Sequence, residues 1–217
     1  MLLPYTVEIF FSTMARYNAA LFPAALVGLL LALGVLGLVV RPVAGAAVRD
    51  RLVGAVLAAG WVWVGWQHQL ELMATLNFLA PVYGVAWIVQ GALFALLCAG
   101  FARVRFGFAG GAAGWAGLAL ALFGLAGYPL LVGLLGFGWR GLPLAGTAPD
   151  PTAIFTAGLL LLAQGRWRYP LLLVPLGWAG VAAVSAYLLE FPLDYTVTAA
   201  VLIALAGALG TDLRPKS

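Results

Sequence analysis

Long apolar runs, broken by short polar clusters, are the dominant pattern along the chain. From Tyr17 to Val40 there are 24 residues without a charge, rich in Leu, Ala, Val and Gly. A helix needs about 20 apolar residues to cross some 30 Å of hydrocarbon, so this run predicts a first membrane span. The same reading along the chain predicts spans near residues 19–40, 52–70, 79–101, 113–135, 151–165, 169–189 and 195–211. The third is placed to start where Asn77 and Pro81 resemble a helix entrance. Before the first span, Val7, Phe10, Phe11, Met14 and Tyr17 recur at helical spacing, opposite Glu8, Ser12 and Arg16. That segment, residues 1–18, predicts an amphipathic helix, either interfacial on the outer leaflet or packed over the ends of the bundle. The expected fold is therefore all-α: a single polytopic transmembrane bundle of about seven spans.

The fifth run is the weakest. Its 15 residues from Pro151 to Gly165 cover only about 22 Å as helix. Charge placement argues for it nonetheless. With seven spans and the N-terminus outside, the inner face holds Arg41, Arg49, Arg51, Arg103, Arg105, Arg166, Arg168, Arg214 and Lys216, and the outer face holds Arg16 and Arg140. Removing the fifth crossing turns this nine-to-two split into five to six, against the positive-inside rule. Glu8, Glu71, Asp150, Glu190 and Asp194 fall outside, and Asp50 and Asp212 inside.

Composition agrees with this reading. The 217 residues are 65% hydrophobic and 8% charged, with a mean hydropathy of +1.08, which leaves too little polar surface to cover a water-soluble globule. A net charge of +4 without a basic, aromatic-interleaved patch argues against nucleic acid as a partner. The single cysteine, Cys98, excludes an internal disulfide and reads as a small buried hydrophobe. Nothing basic precedes the stretch from Met1 to Phe11, so it does not read as a cleavable signal peptide.

A few side chains stand out against this apolar background. His68 precedes Glu71 by three residues, a spacing that puts both on one helical face. They form either a proton-handling pair or a polar pair at the lipid–water boundary. Trp61, Trp63 and Trp66 suit an interfacial aromatic belt, or a stacking wall for a planar ligand. Gln90 falls near mid-membrane and must bond a neighbouring helix or line a polar cavity; Asn77 stands at the entrance of the same helix. Tyr128 precedes Pro129, whose missing donor should kink the fourth span and free the Leu125 carbonyl. Gly110, Gly114, Gly117, Gly124 and Gly127 supply close packing along that span. Asp150 and Pro151 read as N-cap and first helical residue. No HExxH motif or comparable ligand spacing predicts a metal, and no cofactor is expected. The only lysine, Lys216, excludes a retinal Schiff base within the bundle. No charge falls in mid-span, which disfavours charge-coupled transport.

The stretches Arg16-Tyr17-Asn18-Ala19-Ala20-Leu21-Phe22-Pro23-Ala24, Trp61 to His68 with Asn77 and Gln90-Gly91, and Pro151-Thr152-Ala153-Ile154-Phe155-Thr156-Ala157-Gly158-Leu159-Leu160 together resemble an uncharacterised bacterial family of small polytopic membrane proteins, a domain of unknown function. The resemblance implies a bacterial inner-membrane protein and no particular activity. Three functions are then expected to compete. The first is a non-enzymatic membrane component binding an apolar partner, either a lipid-like molecule or another membrane subunit, its own copies included. The second is a transporter or channel for a small neutral solute, lined by Gln90, Asn77 and Tyr128. The third is an intramembrane enzyme using His68 and Glu71.

Overall fold

The computed structural model describes residues 5–41 and 43–213 and is all-helical apart from one two-residue strand pair. Arg214, Lys216 and the first four residues of the expected amphipathic helix lie outside the described residues. In chain order the elements are α1 (Val7–Leu21), α2 (Ala24–Val40), α3 (Ala46–Trp63), α4 (Ala80–Phe94), β1 (Arg105–Phe106), α5 (Gly111–Leu122), α6 (Tyr128–Val132), α7 (Pro149–Leu161), β2 (Ala163–Gln164), α8 (Arg168–Leu188) and α9 (Tyr195–Asp212). Wider π-helical turns extend α3 over Val64–Leu72 and α4 over Ala95–Gly100, and flank α6 on both sides. The turn over Phe123–Gly127 leads directly into Tyr128-Pro129. It spreads over several residues the disruption expected at the proline.

Four helical stretches are long and apolar enough to cross a membrane: Ala80–Gly100, Gly111–Phe137, Arg168–Leu188 and Pro192–Asp212. A fifth candidate is the pair α1 and α2, bent by 88° at Phe22-Pro23. The bend falls inside the run from Tyr17 to Val40, so the first predicted span is shorter than its apolar run. α1 turns its Phe11, Met14 and Tyr17 side into the molecule, which matches packing over the ends of the bundle.

One end of the bundle is tied together through backbone and buried polar groups. β1 pairs antiparallel with β2, Arg105 opposite Gln164 and Phe106 opposite Ala163. The Phe106 N–H donates to Asp50 Oδ1 at 3.0 Å, and the Phe108 N–H to the Val39 carbonyl at 3.2 Å. Arg168, fully buried, donates to the carbonyls of Ala163 and Ala208 at 2.6 Å each and to Thr211 Oγ1 at 2.9 Å, and pairs with Asp212. These bonds gather the C-terminal ends of α2, α7 and α9 with the N-terminal ends of α3 and α8, beside the segment that follows α4.

α7 lies at the centre. It is 13 residues long, and every residue except Asp150 is buried. A helix apolar on all sides must be enclosed by others, and glycines permit that enclosure. A Cβ on Gly124 would stand 2.6 Å from the Phe155 amide nitrogen, and one on Gly117 would stand 3.0 Å from the Gly158 carbonyl oxygen. α5 and α7 therefore meet backbone to backbone. Of the five glycines expected to pack this way, Gly117 and Gly124 do so. Gly110 instead supplies a positive φ ahead of α5, Gly114 makes only ordinary contact with Phe108, and Gly127 faces Phe123 of its own helix.

Candidate functional site

At the end opposite the strand pair, α1 lies across a cavity of about 60 Å³ whose lining includes Phe10 and Phe11 of α1, His68, Tyr128, Asp150, Trp178 and Asp194. Sequence order places these residues far apart, and three local features bring them together. The π-helical extension of α3 carries His68 inward. The short α7 begins below the surface, so Asp150 in its first turn stays within the protein. The 3₁₀ turn Pro192–Asp194 folds Asp194 back onto the start of α9.

At the centre of the site, Tyr128 Oη lies 2.6 Å from Asp194 Oδ1 and 3.2 Å from Asp150 Oδ2. The Trp178 indole donates to Asp150 Oδ1 at 2.8 Å. A phenol has one proton, so it can donate fully to only one of the two carboxyl groups. Among the described residues, neither acid forms an ion pair with Lys, Arg or His. Asp194 is 8% exposed. Both acids do stand at helix N-termini, on the positive end of the helix dipole, although Pro149 and Pro151 carry no N–H at the start of α7. Tyr5, above the site, has its phenol pushed above the ordinary range by burial and then by the Asp150 charge.

His68 completes the lining. It is 1% exposed, and neither ring nitrogen has a hydrogen-bond partner. Its ring meets Phe10 and Tyr17 edge-on, with centroids 6.4 and 5.7 Å away. A buried imidazole without a partner is costly, which marks the space beside it as a place for a polar group.

α1 is clamped at its C-terminal end. The Tyr17 hydroxyl donates to the Thr147 carbonyl at 3.0 Å, and the Asn18 amide donates to the carbonyls of Arg140 and Leu142 at 3.0 and 2.8 Å. Phe11 sits against Phe137 and Phe191, at 4.3 and 5.5 Å between centroids. Aromatic rings of α1 thus line the cavity, and the Tyr17-Asn18 pair fastens α1 in place beside it.

The structure groups the predicted site residues differently from the expectation. His68, Asn77 and Tyr128 share the cavity. Glu71 does not: it lines a separate outer groove with Arg16, Gln67 and Thr75. The pair fails because residues 64–72 wind as π-helix, and the three-residue spacing that unites a face of an α-helix does not hold there. Asn77 accepts from the Leu79 N–H at 2.9 Å and shapes the start of α4. Gln90 is fully buried away from the cavity; its amide donates to the Leu171 carbonyl at 2.9 Å while Oε1 has no partner. The tryptophans separate. Trp61 stacks on Trp87 at 3.9 Å and donates to Thr156 Oγ1 at 2.9 Å in the core. Trp63 lines an apolar groove beside α2, and Trp66 is 53% exposed. Asp150 is no N-cap, because the helix begins at Pro149 and the carboxylate turns to Trp178 and Tyr128.

Asp150, Asp194 and Trp178 were missed as site residues. The available signal was two acids, each flanked by apolar and proline residues at a helix start with no basic neighbour. Among the described residues, no group of three or more His, Cys, Asp or Glu comes together as a metal site.

Residues 7–217 match a family of unknown function, DUF6064, and the chain belongs to that family. No curated protein and no solved structure matches the chain.

Proposed function

We propose that the chain is a seven-span membrane protein, with α1 on the outer face and the C-terminus inside, that takes a small polar solute into the chamber beneath α1. The observation that carries this reading is His68, buried and without a partner in the wall of a cavity whose lining also includes two carboxyl groups. Ionisable groups within a membrane-spanning bundle are expensive and mark ligand or ion paths by default. The orientation rests on charge: Arg41, Arg49, Arg51, Arg103, Arg105, Arg166 and Arg168 belong to the end with the strand pair, and Arg16 and Arg140 to the end with the chamber. The inner membrane of a bacterium is the location this reading implies.

The test is thermal unfolding of the protein in lipid nanodiscs against a panel of small solutes: urea, glycerol, acetate and methylammonium. Saturable stabilisation by at least one is the expected result, lost in Ser185→Phe, because Ser185 of α8 lines the chamber and a phenyl ring there fills it. Stabilisation by none of them overturns the reading.

A second reading has its own observation. A groove of about 320 Å³ runs beside α2, walled by Val27, Leu31, Leu57, Trp63 and Phe155, and the Trp63 indole N–H has no partner there. A lipid-like molecule, with its tail in the groove and a polar group near Trp63, fits an apolar-partner role. Native mass spectrometry of protein extracted in its own lipids tests this, and a bare monomer counts against it.

A further inference from the structure

We propose that the outer groove beside α1 holds the headgroup of a phospholipid with a primary ammonium, a phosphatidylethanolamine, its phosphate against Arg16 and its ammonium against Glu71. The inference rests on the membrane-spanning part of the reading above and is independent of what enters the chamber. Arg16 comes from α1 and Glu71 from the π-helical extension of α3, and the two line one groove of about 550 Å³. Both are exposed. Among the described residues neither forms an ion pair, with the other or with a third group. The groove therefore presents opposite charges held apart on two elements, and a ligand that carries both, a few bonds from each other, satisfies them together.

Charge and hydrogen bonding narrow the class. An anionic headgroup meets Arg16 but also Glu71, and the like charge counts against it. A choline headgroup has both charges and no N–H, whereas a primary ammonium donates to the Glu71 carboxylate and to the Gln67 amide oxygen in the same lining. The volume lies in the range of small-molecule sites, roughly 300–1,000 Å³. The apolar part of the wall separates a lipid from a free zwitterion. Leu21, Leu72 and Leu76 line the groove as well, and exposed aromatic rings adjoin the lining segments: Phe22 follows Leu21, Trp66 precedes Gln67, and Phe78 stands just past Leu76. Such rings at the end of a spanning bundle sit at the headgroup level of the bilayer. Arg16 and Glu71 then lie among headgroups, with the leucines available to the first methylenes of the chains.

Native mass spectrometry of the full chain tests the proposal, with phosphatidylethanolamine, phosphatidylcholine and phosphatidylglycerol of the same acyl chains added in turn. Phosphatidylethanolamine should be retained first, about fivefold tighter than either of the others, the scale of one exposed charge pair. Glu71→Gln should bring the ethanolamine and choline lipids to about equal affinity, and Arg16→Gln should weaken both. Glu71→Lys should move the preference to phosphatidylglycerol. Glu8→Gln, an exposed acid of α1 outside the groove, should change nothing. Because the altered side chains are exposed, circular dichroism should show the fold unchanged in all four. Equal binding of the three lipids overturns the proposal. So does an ethanolamine preference that survives both Arg16→Gln and Glu71→Gln, which places the lipid elsewhere on the protein. Soluble glycerophosphoethanolamine binding as tightly as the lipid overturns the lipid as occupant. In each of these cases the solute panel for the chamber still stands, whereas a chain that does not insert into bilayers removes both readings.

Discussion

Replacing Gly158 with alanine measures how far the position of α7 depends on backbone contact with α5. A Cβ at Gly158 would run into the Ala121 amide nitrogen and stand 2.7 Å from the Gly117 carbonyl oxygen and 2.9 Å from Ala121 Cα. Unstrained carbon contacts are about 3.5–4.0 Å, so the two helices must part by about 1 Å. No flexible side chain is there to give way. Overpacking a tight seam costs about 1–3 kcal/mol, and the loss of glycine's backbone freedom within a helix returns about 0.5–1 kcal/mol. The net expectation is a destabilisation of about 1–2 kcal/mol. Gly177 on α8 is the control: it is exposed, and a Cβ there meets nothing within 4 Å. Gly177→Ala should keep only the gain. Reversible unfolding by sodium dodecyl sulfate in mixed micelles, followed by circular dichroism, gives both numbers. If the two variants move stability in the same direction, the close seam between α5 and α7 does not set the fold.

Arg168→Met should cost about 2–4 kcal/mol in the same assay, because two buried carbonyls lose their donor while the volume is kept. Arg168→Lys should recover only part, since an ammonium cannot span both carbonyls as a guanidinium does; a methionine variant as stable as the parent rejects the role of this clamp. Asn18→Ala should cost about 1–2 kcal/mol and speed amide hydrogen exchange in α1 and in residues 139–148, with the strand-pair end unchanged. Uniform exchange across the chain would show that α1 is not held by this residue.

The helical runs were legible because charge-free length is a one-dimensional signal. One core contact was legible too: Gln90 was expected either to bond a neighbouring helix or to line a cavity, and it donates to the Leu171 carbonyl of α8. What failed was phase and depth. His68 and Glu71 were paired on an α-helical period, and the π-helical run over Val64–Leu72 moves them to different cavities; no residue in that segment announces the wider turn. Trp61, Trp63 and Trp66 looked like one belt, yet within about one and a half turns of the same helix they face the core, a groove and the outside. Asp150 and Asp194 looked like outer-surface acids because both flank loops. Their enclosure depends on α1 folding back over the bundle, a tertiary event with no local trace.

The use of the scarce polar side chains gives the chamber its weight. The stretches that resemble the family supply much of the fold's polar fastening: Tyr17 and Asn18 clamp α1, Thr152 Oγ1 accepts from the Gly146 N–H at 2.8 Å, and Thr156 receives the Trp61 indole. At the other end Asp50 and Arg168 hold strands and helix ends. Each of these has a structural reason to be polar, because removing it would leave a backbone group or an indole unpaired. His68 has no such reason, since it fastens nothing and no group fastens it. Asp150 and Asp194 hold Tyr128 and Trp178, but a neutral amide or a single acid would serve those two donors with less charge to bury. A fold with 8% charged residues that keeps two acids and an unpartnered imidazole in the lining of one cavity carries there polar groups its architecture does not require.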